Sequence, residues 1–324
     1  MRLLKKALVI GIDEYEEAPL HGCVQDAIAV SELLKTNGDG SPNFDVRQKL
    51  NIKKKSDLMR DISQLFSGNA EVALLYFSGH GSDKDSGYLV TSDYNYDDLG
   101  VSMSYVLEKA NQSKCKNKII ILDSCYSGKI GEIGTIQSKE SLLGEGITIM
   151  TASSRNEVAV EEGEGGLFTT LFLQGLRGSA ADITGRITPA GIYAFIDQTL
   201  GAWEQRPMFK TNTNQFFSLR DIEPRVSKET LRKLQNYFPS SSSEFPLDPS
   251  YEDTNNPKVE HDYIKPYAEA SNVLKFKELQ QFQSVGLVEP VGEDYMYFAA
   301  MKSKSCKLTA LGLHYWKLAR DDRF

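Results

Sequence analysis

The sequence predicts an α/β protein, a mainly parallel β-sheet sandwiched by helices, followed by a small C-terminal unit. Three observations carry that prediction. Short apolar runs alternate with segments of helical period through the first two-thirds of the 324 residues. Two of those runs, LLYFSGHG ending at Gly81 and KIIILDSCYSG ending at Gly128, close on Gly and Ser as buried strands do where they empty into loops. A Ser-, Pro- and Asn-rich stretch from Pro239 to Pro257 then breaks the rhythm.

Taken in order, ALVIGI (Ala7–Ile12) reads as the first core strand. DAIAVSELLKTNG repeats Ala, Val and Leu at helical spacing and stops at Gly38. SDLMRDISQLFSG reads as a helix capped by Ser56 and ended by Gly68. EVALLYFSGHG gives a strand, SYVLEKANQ a helix, and NKIIILDSC and GITIMTAS two further strands. FTTLFLQGLRG and TPAGIYAFIDQTL close the series as helices, with Thr188-Pro189 as a helix entry. The stretch from Gly128 to Gly146 is polar and Gly-punctuated, and is expected to be a mobile surface loop. Beyond the Ser/Pro-rich break, KFKELQQFQSVGLVEPVG, DYMYFAAMKS and CKLTALGLHYWKLA read as helix, short hairpin and closing helix, which resembles a winged-helix domain. The expected organisation is a first domain over residues 1–222, a linker over 223–260 and a winged-helix-like domain over 261–324.

The bulk composition narrows the function classes. A net charge of −7 and a pI near 5.3 weigh against general nucleic-acid binding. The tail from His261 carries nine Lys and Arg against eight Asp and Glu, a weak footprint for phosphate. A protein partner or a sensor role is therefore expected for it rather than nucleic acid. No apolar run approaches the roughly 20 residues of a membrane helix. The charged start MRLLKKALV passes into GIDEY without a small-residue cleavage site, so it reads as a strand, and no membrane role is expected. Cys23, Cys115, Cys125 and Cys306 show neither metal-ligand spacing nor a disulfide framework. A reducing, cytoplasmic setting fits them.

The chemistry concentrates at the two strand ends. If the strands are parallel neighbours, their carboxyl ends bring the Cys125 thiol beside the His80 imidazole, at the edge where open α/β sheets work. That pair is the minimum equipment for attack on a carbonyl carbon. Cys125 could equally be a small buried hydrophobe, and His80 a structural histidine. Against those readings, His80 is flanked by Gly79 and Gly81 and precedes Cys125 by 45 residues. That interval is near the roughly 50 residues that separate His from Cys in caspases.

The words ALVIGIDEY, GCVQDA, YFSGHG, ILDSCYSG, TASSRNEVA and QRPMF occur in this order between Lys6 and Leu219. The ordered set resembles the caspase-like cysteine peptidases, most of all their metacaspase and bacterial branch. The cysteine word departs from the QAC type of caspases proper. The resemblance implies a caspase-like fold and a dyad in which Cys125 is the nucleophile and His80 the acid–base. It places the oxyanion on the backbone N–H groups of Gly81 and Cys125, and assigns the primary pocket to Asp26 and Asp123, with Ser78 on its wall. Two carboxylates at one floor repel each other and favour a cation, so a protein or peptide substrate cut after Arg or Lys is expected. The alternatives are a solvated first-turn acid for Asp26, a strand-end cap for Asp123 and a plain strand-end hydroxyl for Ser78.

Lys139, and less so Lys129, are candidate self-processing points, while Arg155 in SSRNE is a separate candidate or, as the preferred alternative, structural. No cofactor is required by this chemistry. The run DYNYDDLG is comparable to the calcium site of some metacaspases, through Asp93, Asp97 and Asp98, or is simply an acidic surface turn. By resemblance the expected function is regulated proteolysis. Two other classes compete: a catalytically silent scaffold acting through its tail, and a protease-derived DNA-binding regulator. The intact His80 and Cys125 count against the first, and the near-neutral tail against the second.

Overall fold

The computed structural model describes residues 4–82, 84, 87–95, 97–124, 143–152, 166–200, 206–213, 215–258 and 263–323. The chain divides into two compact units, Met1–Glu223 and Pro224–Phe324.

The first unit begins β1 (Lys5–Gly11), α1 (Cys23–Lys35), β2 (Asp45–Leu50), α2 (Lys55–Phe66) and β3 (Val72–Ser78). A small antiparallel sheet follows: β4 (Gly81–Ser82), β5 (Tyr88–Val90) and β6 (Gly100–Ser102). The chain continues through α3 (Met103–Gln112), β7 (Asn117–Asp123), β8 (Ile147–Thr151), α4 (Leu167–Gln174) and β9 (Arg186–Ile187). It ends the unit with α5 (Pro189–Thr199), β10 (Met208–Asn212) and β11 (Arg220–Asp221). The main sheet runs β10-β8-β7-β3-β1-β2 and is parallel apart from β10.

Every residue of β3 is buried, and every residue of β7 but the last. Helices on both faces explain why these strands read as unbroken apolar runs rather than as alternation. Leu58 and Ile62 of α2 and Val106 of α3 pack on one face with Leu8 and Leu75. Val30 of α1, Phe172 of α4 and Ile192 of α5 pack on the other with Val9 and Leu74. The chain steps outward from β1 to β2 and then crosses back to β3, so α1 and α2 lie on opposite faces. The loops after β1 and β3 part there, which is where such sheets open a crevice at their carboxyl edge.

Two strands give little signal in the sequence. DVRQKL of β2 is an edge strand with four exposed positions and only Val46 and Lys49 half-buried, and β10 is an edge strand in the antiparallel sense. Edges are held by backbone pairing and carry no apolar periodicity of their own. Helix starts divide similarly. Thr188 caps α5, accepting the Gly191 N–H at 3.0 Å with Pro189 in the first turn. Ser56 does not cap α2, which starts a residue earlier at Lys55. The Asp93 carboxylate accepts the Lys55 N–H instead, at 3.1 Å from each oxygen, a cap supplied from across the fold.

The second unit contains α6 (Lys228–Arg232), α7 (Leu234–Tyr237), β12 (Glu244–Pro246), α8 (Ala270–Ser284), β13 (Val288–Val291), α9 (Met296–Met301), β14 (Ser305–Leu308) and α10 (Ala310–Arg320). Its antiparallel sheet has the order β12-β14-β13. The linker expected over 223–260 is therefore corrected: its described part from Pro224 is folded. Strand β12 pairs with β14, Phe238 is fully buried, and its carbonyl accepts the Trp316 Nε1–H at 2.7 Å. Asn255, also fully buried, donates to the carbonyls of Pro249, Ile264 and Pro266. A few apolar anchors and one bonded amide order a polar stretch whose composition alone reads as solvated. The expected short hairpin is also corrected, because α9 intervenes between β13 and β14. Among the described residues no helix is long and apolar enough to cross a membrane.

Candidate active site

The carboxyl ends of β1, β3 and β7 lie side by side, with Gly11 in register with Ser78 and Ser78 with Asp123. After those three residues the chain leaves the sheet at one edge. Ser124 is the last residue described there; Cys125, Lys129, Lys139 and Arg155 lie outside the described residues.

His80 follows β3 by two residues and is half-buried. Its backbone N–H donates to Tyr15 Oη at 3.0 Å, and the two rings meet edge to face with centroids 4.5 Å apart. Its Nε2 stands 2.8 Å from the Ala18 carbonyl oxygen. A carbonyl can only accept, so Nε2 carries the proton and Nδ1 keeps the lone pair. Ring orientation and tautomer are thus fixed with no orienting side-chain acid among the described residues. Gly79 permits the arrangement, since a Cβ there would stand 2.6 Å from Tyr15 Oη. The Tyr15 O–H in turn reaches the Val90 carbonyl at 3.3 Å, and burial holds its phenol well above the usual range. Gly81, the expected oxyanion donor, opens β4 in register with Leu89.

The two predicted acids share one environment. Asp26 lies in the first turn of α1 and is only 6 % exposed. Burial, and after it the charge of Asp123, pushes its carboxyl up to about 7, opposed by the Gly166 N–H at 3.5 Å. Asp123 is enclosed by protein while part of its surface stays accessible; burial raises its carboxyl as well. The Thr169 hydroxyl, 2.5 Å from Asp123 Oδ2, and the Thr169 N–H work against that rise. Among the described residues no Lys or Arg balances either acid. Ser78 is 2 % exposed and hydrogen-bonds the Cys23 thiol, which burial pushes up to about 12. Cys23 is therefore a neutral thiol at physiological pH.

The sequence assigns no role to three further participants. Asp13 accepts the N–H groups of Cys23 (2.9 Å) and Val24 (3.3 Å), closing the start of α1 where Gly22 has no side chain to do so. Its charge also bears on Asp26. Tyr76, fully buried on β3, sets its hydroxyl 2.6 Å from Thr169 Oγ1. Thr169 itself stands at the third position of α4, the helix whose start brackets both acids. Asp13 and Tyr76 stand inside the words ALVIGIDEY and YFSGHG, but nothing in either word marks them for this site, and Thr169 belongs to no such word; only the fold collects them.

The acidic run has structural occupations. Asp93 caps α2 and accepts the Thr91 hydroxyl at 2.7 Å, and Asp98 pairs with Lys55 Nζ at 2.7 Å, which holds its carboxyl below the usual range. Asp97 donates its N–H to Asn95 Oδ1. Among the described residues no group of three or more His, Cys, Asp and Glu is placed to hold a metal ion.

A parallel sheet covered on both faces, with an oriented imidazole at its carboxyl edge, defines a caspase-like α/β fold. The caspase-domain family model matches residues 4–217, and the chain belongs to that family of cysteine peptidases. Among solved structures, caspase-1 from Spodoptera frugiperda is similar at 16 % identity, over 68 % of this chain and 91 % of that one, with a TM-score of 0.50. A protein from Geobacter sulfurreducens is similar at 14 % identity, over 68 % and 98 %, with a TM-score of 0.48. At such identities the likeness is one of fold. No curated protein sequence matches the chain significantly.

Proposed function

We propose that this cysteine peptidase is an endopeptidase of the metacaspase type that cuts after Arg or Lys. The observation that carries the reading is the pair of buried Asp26 and half-buried Asp123, set close enough that the charge of Asp123 bears on Asp26, without a balancing cation among the described residues. Such a floor gains from any cationic side chain that replaces the water it excludes. An acidic P1 residue would meet repulsion there instead. Cys125, two residues beyond Asp123, gives its thiol proton to His80 Nδ1 and attacks the carbonyl carbon after the basic residue, giving an oxyanion held by the N–H groups of Gly81 and Cys125. His80 then passes a proton from Nδ1 to the leaving amine and later takes one from water, while Ala18 holds its far nitrogen. Ser78 lines the pocket wall.

Self-processing at Lys139 or Lys129, a cytoplasmic setting, and a partner-binding role for the second unit complete the proposal. Calcium enters it as a regulator to be tested, since the chemistry itself uses no cofactor. The decisive experiment offers fluorogenic peptides ending in Arg, Lys or Asp, with and without calcium, to the parent and to Cys125→Ala. Release after Arg and Lys by the parent alone is expected. Release after Asp, or equal turnover by the variant, overturns the reading.

A further inference from the structure

Both pocket acids are held by the start of one helix. Gly166 precedes α4 and points its N–H at Asp26 Oδ2, 3.5 Å away, and its backbone runs so close to the other acid that a Cβ would stand 2.8 Å from Asp123 Oδ2. Three residues on, Thr169 Oγ1 lies 2.5 Å from that same Oδ2. A carboxylate oxygen accepts, so the threonine hydroxyl donates to Asp123, and its own lone pairs are left for Tyr76 Oη at 2.6 Å. Tyr76 and Thr169 are both fully buried, and the chain of donors runs one way, from phenol to hydroxyl to carboxylate.

We propose that Thr169, backed by Tyr76, is a positioning residue for substrate specificity, orienting Asp123 so that it and Asp26 receive one cationic P1 side chain together. This rests on the basic-P1 reading above and adds to it the device that sets the pocket. A carboxylate accepting a buried hydroxyl is both fixed in direction and favoured in its charged form. Without that hydroxyl, Asp123 would rotate and take up a proton more readily, and the pocket would lose charge at a higher pH. Among the described residues, the other titratable groups facing the two acids are Asp13, Cys23 and Tyr76, and none of these is a cation that could compensate.

The test uses the full chain. Thr169→Val keeps the shape and the backbone N–H that Asp123 also accepts, and removes only the hydroxyl. With a peptide ending in Arg, KM is expected to rise about tenfold with kcat changed by less than about threefold, the signature of lost binding rather than lost chemistry. The acid limb of kcat/KM moves to higher pH, and Thr169→Ser restores both. Tyr76→Phe gives the same changes in smaller measure, and carries the test if Thr169→Val does not fold by thermal melting. Folded variants with the parent's KM and pH profile overturn the inference while leaving the basic-P1 reading intact. A parent that does not cleave after Arg or Lys removes that reading and this inference with it.

Discussion

At neutral pH the Asp26 carboxyl sits near the middle of its titration, because burial and Asp123 push it up to about 7. In the unfolded chain the value returns to about 3.9. Between those two values the folded protein holds a proton that the unfolded chain has released. Stability from this group is therefore greatest below about pH 4, falls as pH rises toward about 7, and is level above that. Asp26→Asn abolishes the titration. The variant should melt roughly 8 °C or more above the parent at pH 8 and much closer to it at pH 4.5, read by calorimetry. A melting difference independent of pH would show that the carboxylate is not strained by its setting. The same variant should lose cleavage after Arg, so that stability and charge recognition oppose each other at one residue.

At the scale of elements, the helix starts are where distant segments are tied to the site. Asp13 closes α1, Asp93 closes α2, and Asp123 bonds the first turn of α4. Each of these acids is supplied from another segment of the chain, so each cap also fixes a loop or strand end of the carboxyl edge. Removing the carboxylate in Asp93→Ala should cost about 1 kcal/mol, as lost caps do, and lower the melting temperature by about 2–4 °C. Millimolar calcium provides the contrast. If Asp93 is a calcium ligand as well as a cap, calcium raises the melting point of the parent and not of the variant. If calcium moves neither, the acidic run serves α2 and Lys55 alone. His80 belongs to this scale too, since its orientation depends on Tyr15 and Ala18, in the segment that follows β1.

For the molecule as a whole, each unit owns a core. The first has the six-stranded sheet with an apolar cluster on either face, and the second has Phe238, Phe276, Phe282 and Trp316 among its own helices and strands. Residues 1–223 and 224–324, expressed separately, should each fold with a cooperative melt and a near-UV circular dichroism signal. Loss of either signal would mean that the unit depends on the rest of the chain. Cleavage activity should stay with the first, which carries every residue assigned to the chemistry.

The central strands, the helices of the first unit and the words around His80 and Cys125 were legible because they are local. Burial on two faces imposes an apolar run, a helix imposes a period of 3.6, and a strand ending in a working loop ends in Gly and Ser. That the two central strands could be parallel neighbours was legible from that pattern, while the register that sets Ser78 beside Asp123 is a finding of the fold. The folded stretch after Pro224 could not, because Asn255 and Phe238 order it through contacts that composition does not encode. Nor could the Ala18 carbonyl behind His80, or the line from Tyr76 through Thr169 to Asp123. Hydrogen bonds between segments tens of residues apart depend on where the chain returns. Periodicity and short words record what a residue is, and only the packed sheet decides which residues meet.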